Sequence, residues 1–543
     1  MTVKEVCDRP LPREVDVVVL GSGAAGLMTA LCAADQGLHV AVLESSARLG
    51  GTSAVSGGML WVPCNKHMGS LGVEDSPEEA LAYLRALTLG TVDEGRLSAF
   101  ISTAPRVIDY LEEATTARFL AVMRPDYRPD QSGSKLGGRS LDNRPFDASP
   151  LRRWPVRRRE MLPIVHEERR QMRTVRGAEL VDSDVIRRRA AEGTWTLGAA
   201  LVGALLVACI ERGVTFHLNT TIADTTPSRH GGRNVTVSAD SDGQSVRARR
   251  GVVLATGGFE WNPTWRASFL PGPDHYPVSP PLGRGDGIRL GLAAGGQTSS
   301  MTDAWWVPAI RVPGEVEEGH PRARHLSDEL ALPGSILVNR AGRRFVNEAT
   351  NYNDLARVFA HFDVVEYSFV NDPCWVVFDE AFRSKYMMAG VSPADGPAAW
   401  WLQAQDLSEL ASTAGIGPLG LVRTVERFNI DALSGIDSSF SRGDSPHDRY
   451  YGDERSEGNP CLAPLQTPPY YCIPVRRGSF GSKGGLLTDH SGRVLDGSGE
   501  PIEGLWACGN NSAPVTGPGY PGAGATLASA LTFGYLCGMD TAA

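Results

Sequence analysis

Residues Val17-Val18-Val19-Leu20-Gly21-Ser22-Gly23-Ala24-Ala25-Gly26 run an apolar strand straight into a G-x-G-x-x-G turn. A helical stretch follows, then Val40-Ala41-Val42-Leu43-Glu44, a second short strand closed by an acid. In such a unit the first glycine permits the tight turn, the second lets backbone approach a pyrophosphate, and the third lets helix and strand pack closely. The free N–H groups at the helix start then face the phosphates. Glu44 falls at the spacing, roughly 20 residues on, at which an acid meets a ribose hydroxyl. Strand, glycine turn and acid together predict a dinucleotide site.

Three further segments specify the dinucleotide. Ser46-Ala47-Arg48-Leu49-Gly50-Gly51-Thr52-Ser53 resembles the GGT/S stretch of FAD-binding flavoproteins. Gly251-Val252-Val253-Leu254-Ala255-Thr256-Gly257-Gly258 resembles the strand that ends in Ala-Thr-Gly in the same proteins. Gly504-Leu505-Trp506-Ala507-Cys508-Gly509-Asn510 resembles their C-terminal strand, which passes the ribityl chain. The implied cofactor is FAD. Gly50 to Gly58 contains no histidine, the residue by which succinate dehydrogenases and some fumarate reductases tether flavin. Non-covalent FAD is therefore expected.

The chain is long enough for two or three domains' worth of core. A net charge of −9 argues against general attraction to nucleic acid. The nine cysteines are odd in number and scattered without a CxxC pair, so core thiols in a reducing cytoplasm are expected. The N-terminus shows no signal peptide, and the longest apolar run, Ala199 to Ile210, is too short to span a bilayer. His320 and His325 are close in sequence but lack further ligands, so no metal is predicted.

Residues 15–60 read as a βαβ unit, and Ser76-Pro77-Glu78-Glu79 opens a helical pattern that continues to about Glu113. Residues 124–150 are loop-rich, 197–213 helical and 214–258 strand-rich, with another helix from Gly285. The texture changes near 309, where Ser335–Asn339 and Trp375–Asp379 read as strands. The predicted fold is α/β: a Rossmann-like FAD-binding domain (1–308 and 479–543) with an inserted α+β substrate or cap domain (309–478). Between Arg152 and Arg189 stand twelve arginines and six acids. They form either a basic surface for a membrane or acidic partner, or solvated helix and loop with mixed ion pairs. Their interspersion favours the second.

The fingerprint, Ser335–Glu348, Lys483-Gly484-Gly485-Leu486 and Tyr520-Pro521-Gly522-Ala523-Gly524-Ala525-Thr526 together resemble the flavin-dependent 3-ketosteroid Δ1-dehydrogenases. These belong to the wider fumarate reductase/succinate dehydrogenase flavoprotein superfamily. Fumarate reductases carry a His-Arg-Leu-Gly-Gly-type sequence, whose His and Arg hold a dicarboxylate, where this chain has Gly519 to Gly524. A phenol and bare amides suit a neutral carbonyl instead.

The resemblance implies α,β-desaturation of a 3-ketosteroid: a proton leaves the α-carbon and a hydride leaves the β-carbon for flavin N5. It implies Tyr520 OH and the Gly524 N–H as donors to the ketone oxygen, and Tyr352 as base. Tyr127 is the best match for a second tyrosine that assists the base. The implied cofactor contacts are Gly21, Gly23, Ala24, Ala25, Gly26, Glu44, Ser45, Gly50, Gly51, Thr52, Ser53, Gly57, Gly58, Thr256, Gly257, Gly258, Gly509, Asn510, Gly524, Ala525 and Thr526. Trp305 and Trp306 either line a flat apolar pocket or pack a domain junction. Arg311, if it faced that pocket, would point to a monocyclic keto acid. Alternatives are the same reaction on a smaller ring, such as a cyclohexanone or 4-oxocyclohexane carboxylate, its reverse as an ene-reductase, and a flavin-binding electron-transfer partner. The external electron acceptor, whether quinone, carrier or oxygen, is left open.

Overall fold

The computed structural model describes residues 10–159, 162–238 and 244–543. Cys7 and the extreme N-terminal stretch lie outside them. The strands that carry the site are β1 (Glu14–Leu20), β2 (Val40–Leu43), β3 (Thr215–His217), β4 (Ser245–Leu254), β5 (Ala304–Glu317), β6 (Ser335–Asn339), β7 (Cys374–Asp379), β8 (Tyr470–Ser482) and β9 (Pro501–Ala507). The helices used below are α1 (Ala24–Asp35), α2 (Leu197–Glu211), α3 (Tyr352–Arg357), α4 (Pro446–Tyr451) and α5 (Ala525–Asp540).

β9, β4, β1, β2 and β3 pair in that order and run parallel. Val17, Val18 and Val19 are fully buried, as expected of a central parallel strand covered on both faces. Each such valine contributes ~1.5–3 kcal/mol by burial. The register sets Leu20 opposite both Leu43 and Leu254. Gly21, Glu44 and Ala255 therefore leave the sheet side by side at its carboxyl edge. The chain crosses to β2 on one side of β1 and to β4 on the other, which makes this edge a topological switch point.

α1 and α5 cross at small residues. A Cβ on Gly534 would lie 2.6 Å from the Ala25 carbonyl oxygen, and one on Gly538 would lie 2.6 Å from Cys32 Cβ. α2 buries nearly its whole surface against α1 and the loop after β2.

The second sheet contains β5, β8, β7 and β6 in order, edged by His320–His325. The strand His275–Pro277 also joins it, parallel to β8. β5 and β8 are long antiparallel neighbours whose ends, Ala304 and Ser482, reach back to the first sheet's switch edge. The inserted sheet is thus held on two continuous strands rather than on flexible linkers.

The helical pattern expected from Ser76 to Glu113 is two helices, Pro77–Thr88 and Glu94–Ala114, because Leu89 and Gly90 turn left-handed between them. The arginine-rich segment is an ion-paired bridge to the second sheet. Arg157 reaches Glu318 and Arg159 reaches Glu317, while Arg189 pairs with Glu168 and Arg170 with Glu167. The eight described cysteines are unpaired and, except for Cys64, buried. Among the described residues, no helix is long and apolar enough to cross a membrane.

Candidate active site

Two glycine loops face each other at the switch edge. Gly21 has a φ of +100°, and a Cβ there would sit 2.4 Å from the Ala255 carbonyl oxygen. A Cβ on Gly26 would sit 2.0 Å from the Gly21 oxygen. At Gly23, by contrast, a Cβ would meet only Ser53 Oγ at 3.6 Å, and Gly51 lies beside it at a similar distance. Gly23 and Gly51 therefore present adjacent bare backbone, which a ligand can approach closely.

Glu44 stands buried at its floor. One carboxylate oxygen accepts from Ser22 N (3.0 Å) and Ser22 Oγ (2.6 Å), the other from Ser46 N (2.9 Å). Ser53 Oγ accepts from Ala24 N at the start of α1. Gly57 and Gly58 are spoken for by protein: the Gly57 carbonyl accepts from His166 Nε2, and a Cβ on Gly58 would strike the Leu197 backbone.

After β4, the Thr256 hydroxyl and amide both donate to Asn511 Oδ1, while Asn511 Nδ2 is a buried donor with no protein partner among the described residues. Gly257, at φ +84°, has open space where its Cβ would lie. These features fit a dinucleotide: a backbone cradle, an acid at the ribose position and an orphaned amide donor. Asn511 escaped the sequence analysis, which singled out its neighbour Asn510. Only the three-residue run Gly509-Asn510-Asn511 hinted at it.

Three tyrosines from distant segments meet beside this cradle. Ring centroids of Tyr127 and Tyr352 are 5.4 Å apart, those of Tyr127 and Tyr520 5.2 Å, and those of Tyr352 and Tyr520 5.5 Å. Each is positioned by its own local structure. Tyr352 begins α3, capped by the Asn351 side chain, which accepts from Asp354 N. The Asn351 amide also donates to the Tyr127 carbonyl. Tyr127 N and Tyr83 OH both donate to the Pro521 carbonyl, tying the Tyr127 loop to the Tyr520 loop. Asp126 is clamped by Trp61 Nε1 and by the buried Arg139, which also holds Asp75.

Tyr520 OH accepts from Thr526 Oγ1 at 3.3 Å, so the threonine expected at the cofactor touches this phenol. Gly524 opens α5 with φ +99°, against Met59, whose backbone carbon a Cβ would approach to 2.4 Å. Its N–H has no protein acceptor among the described residues. A helix N-terminus also brings a positive field to that point. Burial pushes the acidity of all three phenols down, raising each pKa. For Tyr352 the neighbouring Tyr127 and Tyr520 oxygens add to the effect.

The loop that bears Tyr520 is braced from outside. Lys483 Nζ, fully buried over the Trp305 ring, donates to the Pro518 (2.9 Å) and Gly519 (2.6 Å) carbonyls. Arg357 from α3 donates to the Pro518 carbonyl and to Asp303. Burial pushes the Lys483 ammonium down to about 7. Its folded pKa lies below its unfolded one, so the unfolded chain binds the extra proton between those values. Stability should therefore rise as pH increases from about 7 towards 10.5. Lys483→Met should lose that slope, and the freed Gly519 carbonyl should lower stability by roughly 1–3 kcal/mol, while the Pro518 carbonyl keeps Arg357. Thermal unfolding of both proteins across this pH range checks it. An unchanged slope in the variant would contradict it.

The two tryptophans divide. Trp305 sits edge-on to Tyr520 at 5.0 Å and donates to Asn510. Trp306 packs under Arg477 and against His275 in the domain junction. Arg311 is exposed and lies 4.0 Å over the Tyr276 ring, so it does not serve as the pocket cation considered from sequence.

Comparison with known proteins agrees with this geometry. The model of the FAD binding domain family matches residues 16–527. The chain is 38% identical over 97% of its length to a 4-oxocyclohexanecarboxylate 2-dehydrogenase of Sinomonas cyclohexanicum, covering 92% of that protein. It is 35% identical over 98% of both chains to a 3-oxosteroid 1-dehydrogenase of Mycobacterium tuberculosis. The crystal structure of a 3-ketosteroid Δ1-dehydrogenase from Sterolibacterium denitrificans, in complex with 1,4-androstadiene-3,17-dione, superposes with a TM-score of 0.91 at 37% identity. That match covers 98% of this chain and all of the other.

Proposed function

The chain belongs to the FAD-binding flavoprotein family that includes the 3-ketosteroid Δ1-dehydrogenases, and from that membership we propose that it desaturates the Cα–Cβ bond beside the ketone of a cyclic substrate, as in 1,2-dehydrogenation of a 3-ketosteroid. The observation that carries this is the meeting of Tyr127, Tyr352 and Tyr520 beside the glycine cradle, on the turn whose Gly524 amide has no protein acceptor among the described residues.

Tyr520 OH and Gly524 N–H donate to the ketone oxygen and stabilise the enolate as it develops. A preorganised pair does this at no reorganisation cost when the charge forms. Tyr352 Oη receives the α-proton, and Tyr127 OH steadies the oxygen that receives it. Burial raises the Tyr127 pKa, and the Arg124 charge offsets part of that rise. FAD, when bound, supplies the acceptor for the β-hydride. Gly21, Gly23, Gly26, Gly51, Glu44, Ser53 and Asn511 would hold it. An external quinone, carrier or oxygen then takes the electrons. The unpaired thiols fit a cytoplasmic site of action.

A second substrate has specific support, because one relative at 38% identity is named for a smaller ring, 4-oxocyclohexanecarboxylate. Both substrates present the same ketone end. Steady-state turnover with a dye acceptor should be seen with androst-4-ene-3,17-dione or 4-oxocyclohexanecarboxylate and not with succinate. Turnover of succinate alone would overturn the proposal.

Heat or acid should release the flavin from the polypeptide. Glu44→Ala should weaken FAD binding by roughly 10- to 100-fold, the worth of hydrogen bonds to a charged group. Flavin absorbance per protein after gel filtration reads both. Flavin that stays with the denatured chain would contradict non-covalent binding.

A further inference from the structure

Beside the three phenols lies a guanidinium without a carboxylate partner. Arg124 Nη1 donates to Met59 Sδ at 3.0 Å, a weak acceptor, and Nη2 donates to Tyr451 OH. Its Nε is buried with no partner, and among the described residues no carboxylate lies within ion-pair distance. The residue is half-buried, with its Nε sealed from solvent.

Its place is close to the reacting end. Met59, which accepts from Arg124, is the residue against which Gly524 packs. On the other side, Arg124 stacks on Tyr451, Tyr451 on His447, and His447 edge-on to Tyr127 at 5.3 Å.

Two more arginines stand behind it, neither of them ion-paired among the described residues. Arg173 donates only to the carbonyls of Arg170, Asp328 and Tyr451, and Arg169 reaches His325 Nε2. One acid, Asp328, offsets part of this charge without forming a direct ion pair among the described residues. Asp328 is held ionised by the surrounding arginines, whereas burial pushes Asp142 up to about 6 and raises Glu329. A buried cation left on a thioether and a phenol forfeits much of its hydration, and an anion that meets it recovers that energy. Arginine matches a carboxylate with two parallel N–H donors.

We propose that the substrate is a cyclic ketone bearing a carboxylate, and that Arg124, backed by Arg169 and Arg173, receives that carboxylate while Tyr520 and Gly524 hold the ketone. This rests on the desaturase reading and adds which ketone the site selects. A single residue, Met59, separates Arg124 from Gly524, which favours a monocyclic acid over a substrate with its charge many ångströms from the ketone.

The test compares 4-oxocyclohexanecarboxylate with its methyl ester, in wild type and in Arg124→Gln, by kcat/KM and by anaerobic flavin reduction. Wild type should prefer the acid. The variant should compress the acid-to-ester ratio roughly 10- to 100-fold, mainly through KM for the acid. A ratio unchanged by the substitution, or a wild-type preference for the ester, overturns the proposal while leaving desaturation intact. Failure of every ketone to reduce the flavin overturns both. Should the variant not hold FAD, wild-type flavin absorbance titrated with cyclohexanecarboxylate and with cyclohexanecarboxamide decides. Tighter carboxylate binding supports the proposal, and equal or tighter amide binding overturns it.

Discussion

Tyr520→Phe should slow ketone-dependent flavin reduction by roughly 10²–10³-fold, about 2–4 kcal/mol of lost enolate stabilisation. The ring itself is not in question. Phenylalanine keeps the stacking on Tyr127 and the edge contact with Trp305, so FAD content and folding should be unchanged. What disappears is one of two donors to the ketone oxygen. A ketone's α-proton is far less acidic than a phenol of pKa ~10, and each unit of mismatch costs about 1.4 kcal/mol. The remaining donor, the Gly524 amide, cannot supply the missing charge stabilisation alone. Because the interaction strengthens as the enolate forms, the loss should appear in kcat more than in KM. Anaerobic stopped-flow absorbance measures it. Full-rate reduction in the variant would remove Tyr520 from the reaction.

Tyr352→Phe should abolish most turnover while leaving FAD and ketone binding near wild type. The phenol oxygen is needed only when the α-proton departs. The loss should extend to exchange of substrate α-hydrogens with deuterated solvent. A pH signature accompanies it. Burial and the two neighbouring phenols raise the Tyr352 pKa above its ordinary value, so little phenolate exists near neutrality. The reactive population grows tenfold per pH unit below that pKa. Wild-type kcat/KM should therefore climb with pH through neutrality into the alkaline range, and the variant's residual activity should lack that climb. If the variant exchanges α-hydrogens at the wild-type rate, the base is another group, with Tyr127 the nearest.

The cofactor half of the site was legible because its signals are local. Gly21, Gly26 and Glu44 lie within one βαβ unit, and their roles follow from a turn, a close approach and a strand end. The reacting half joins three segments separated by hundreds of residues. Tyr127, Tyr352 and Tyr520 could be chosen only through the family resemblance, since no spacing relates them. Lys483 and Arg357 support Tyr520 through backbone carbonyls, which leave no trace in residue type. Arg124 was silent because Met59 and Tyr451, its side-chain partners, lie far away along the chain. The arginine-rich stretch was readable as ion-paired but not as a bridge, because Glu317 and Glu318 belong to β5 and the turn that follows it. The break at Leu89–Gly90 followed from left-handed backbone, which a helical pattern alone does not announce.

The most direct measurement is anaerobic mixing of the purified yellow protein with a cyclic ketone, either androst-4-ene-3,17-dione or 4-oxocyclohexanecarboxylate. Flavin absorbance and the enone product are followed together. The flavin should bleach, and one new C=C bond conjugated to the ketone should form per flavin reduced. Flavin that stays oxidised with both ketones, or bleaches without a conjugated enone, would contradict α,β-desaturation as the chemistry of this site.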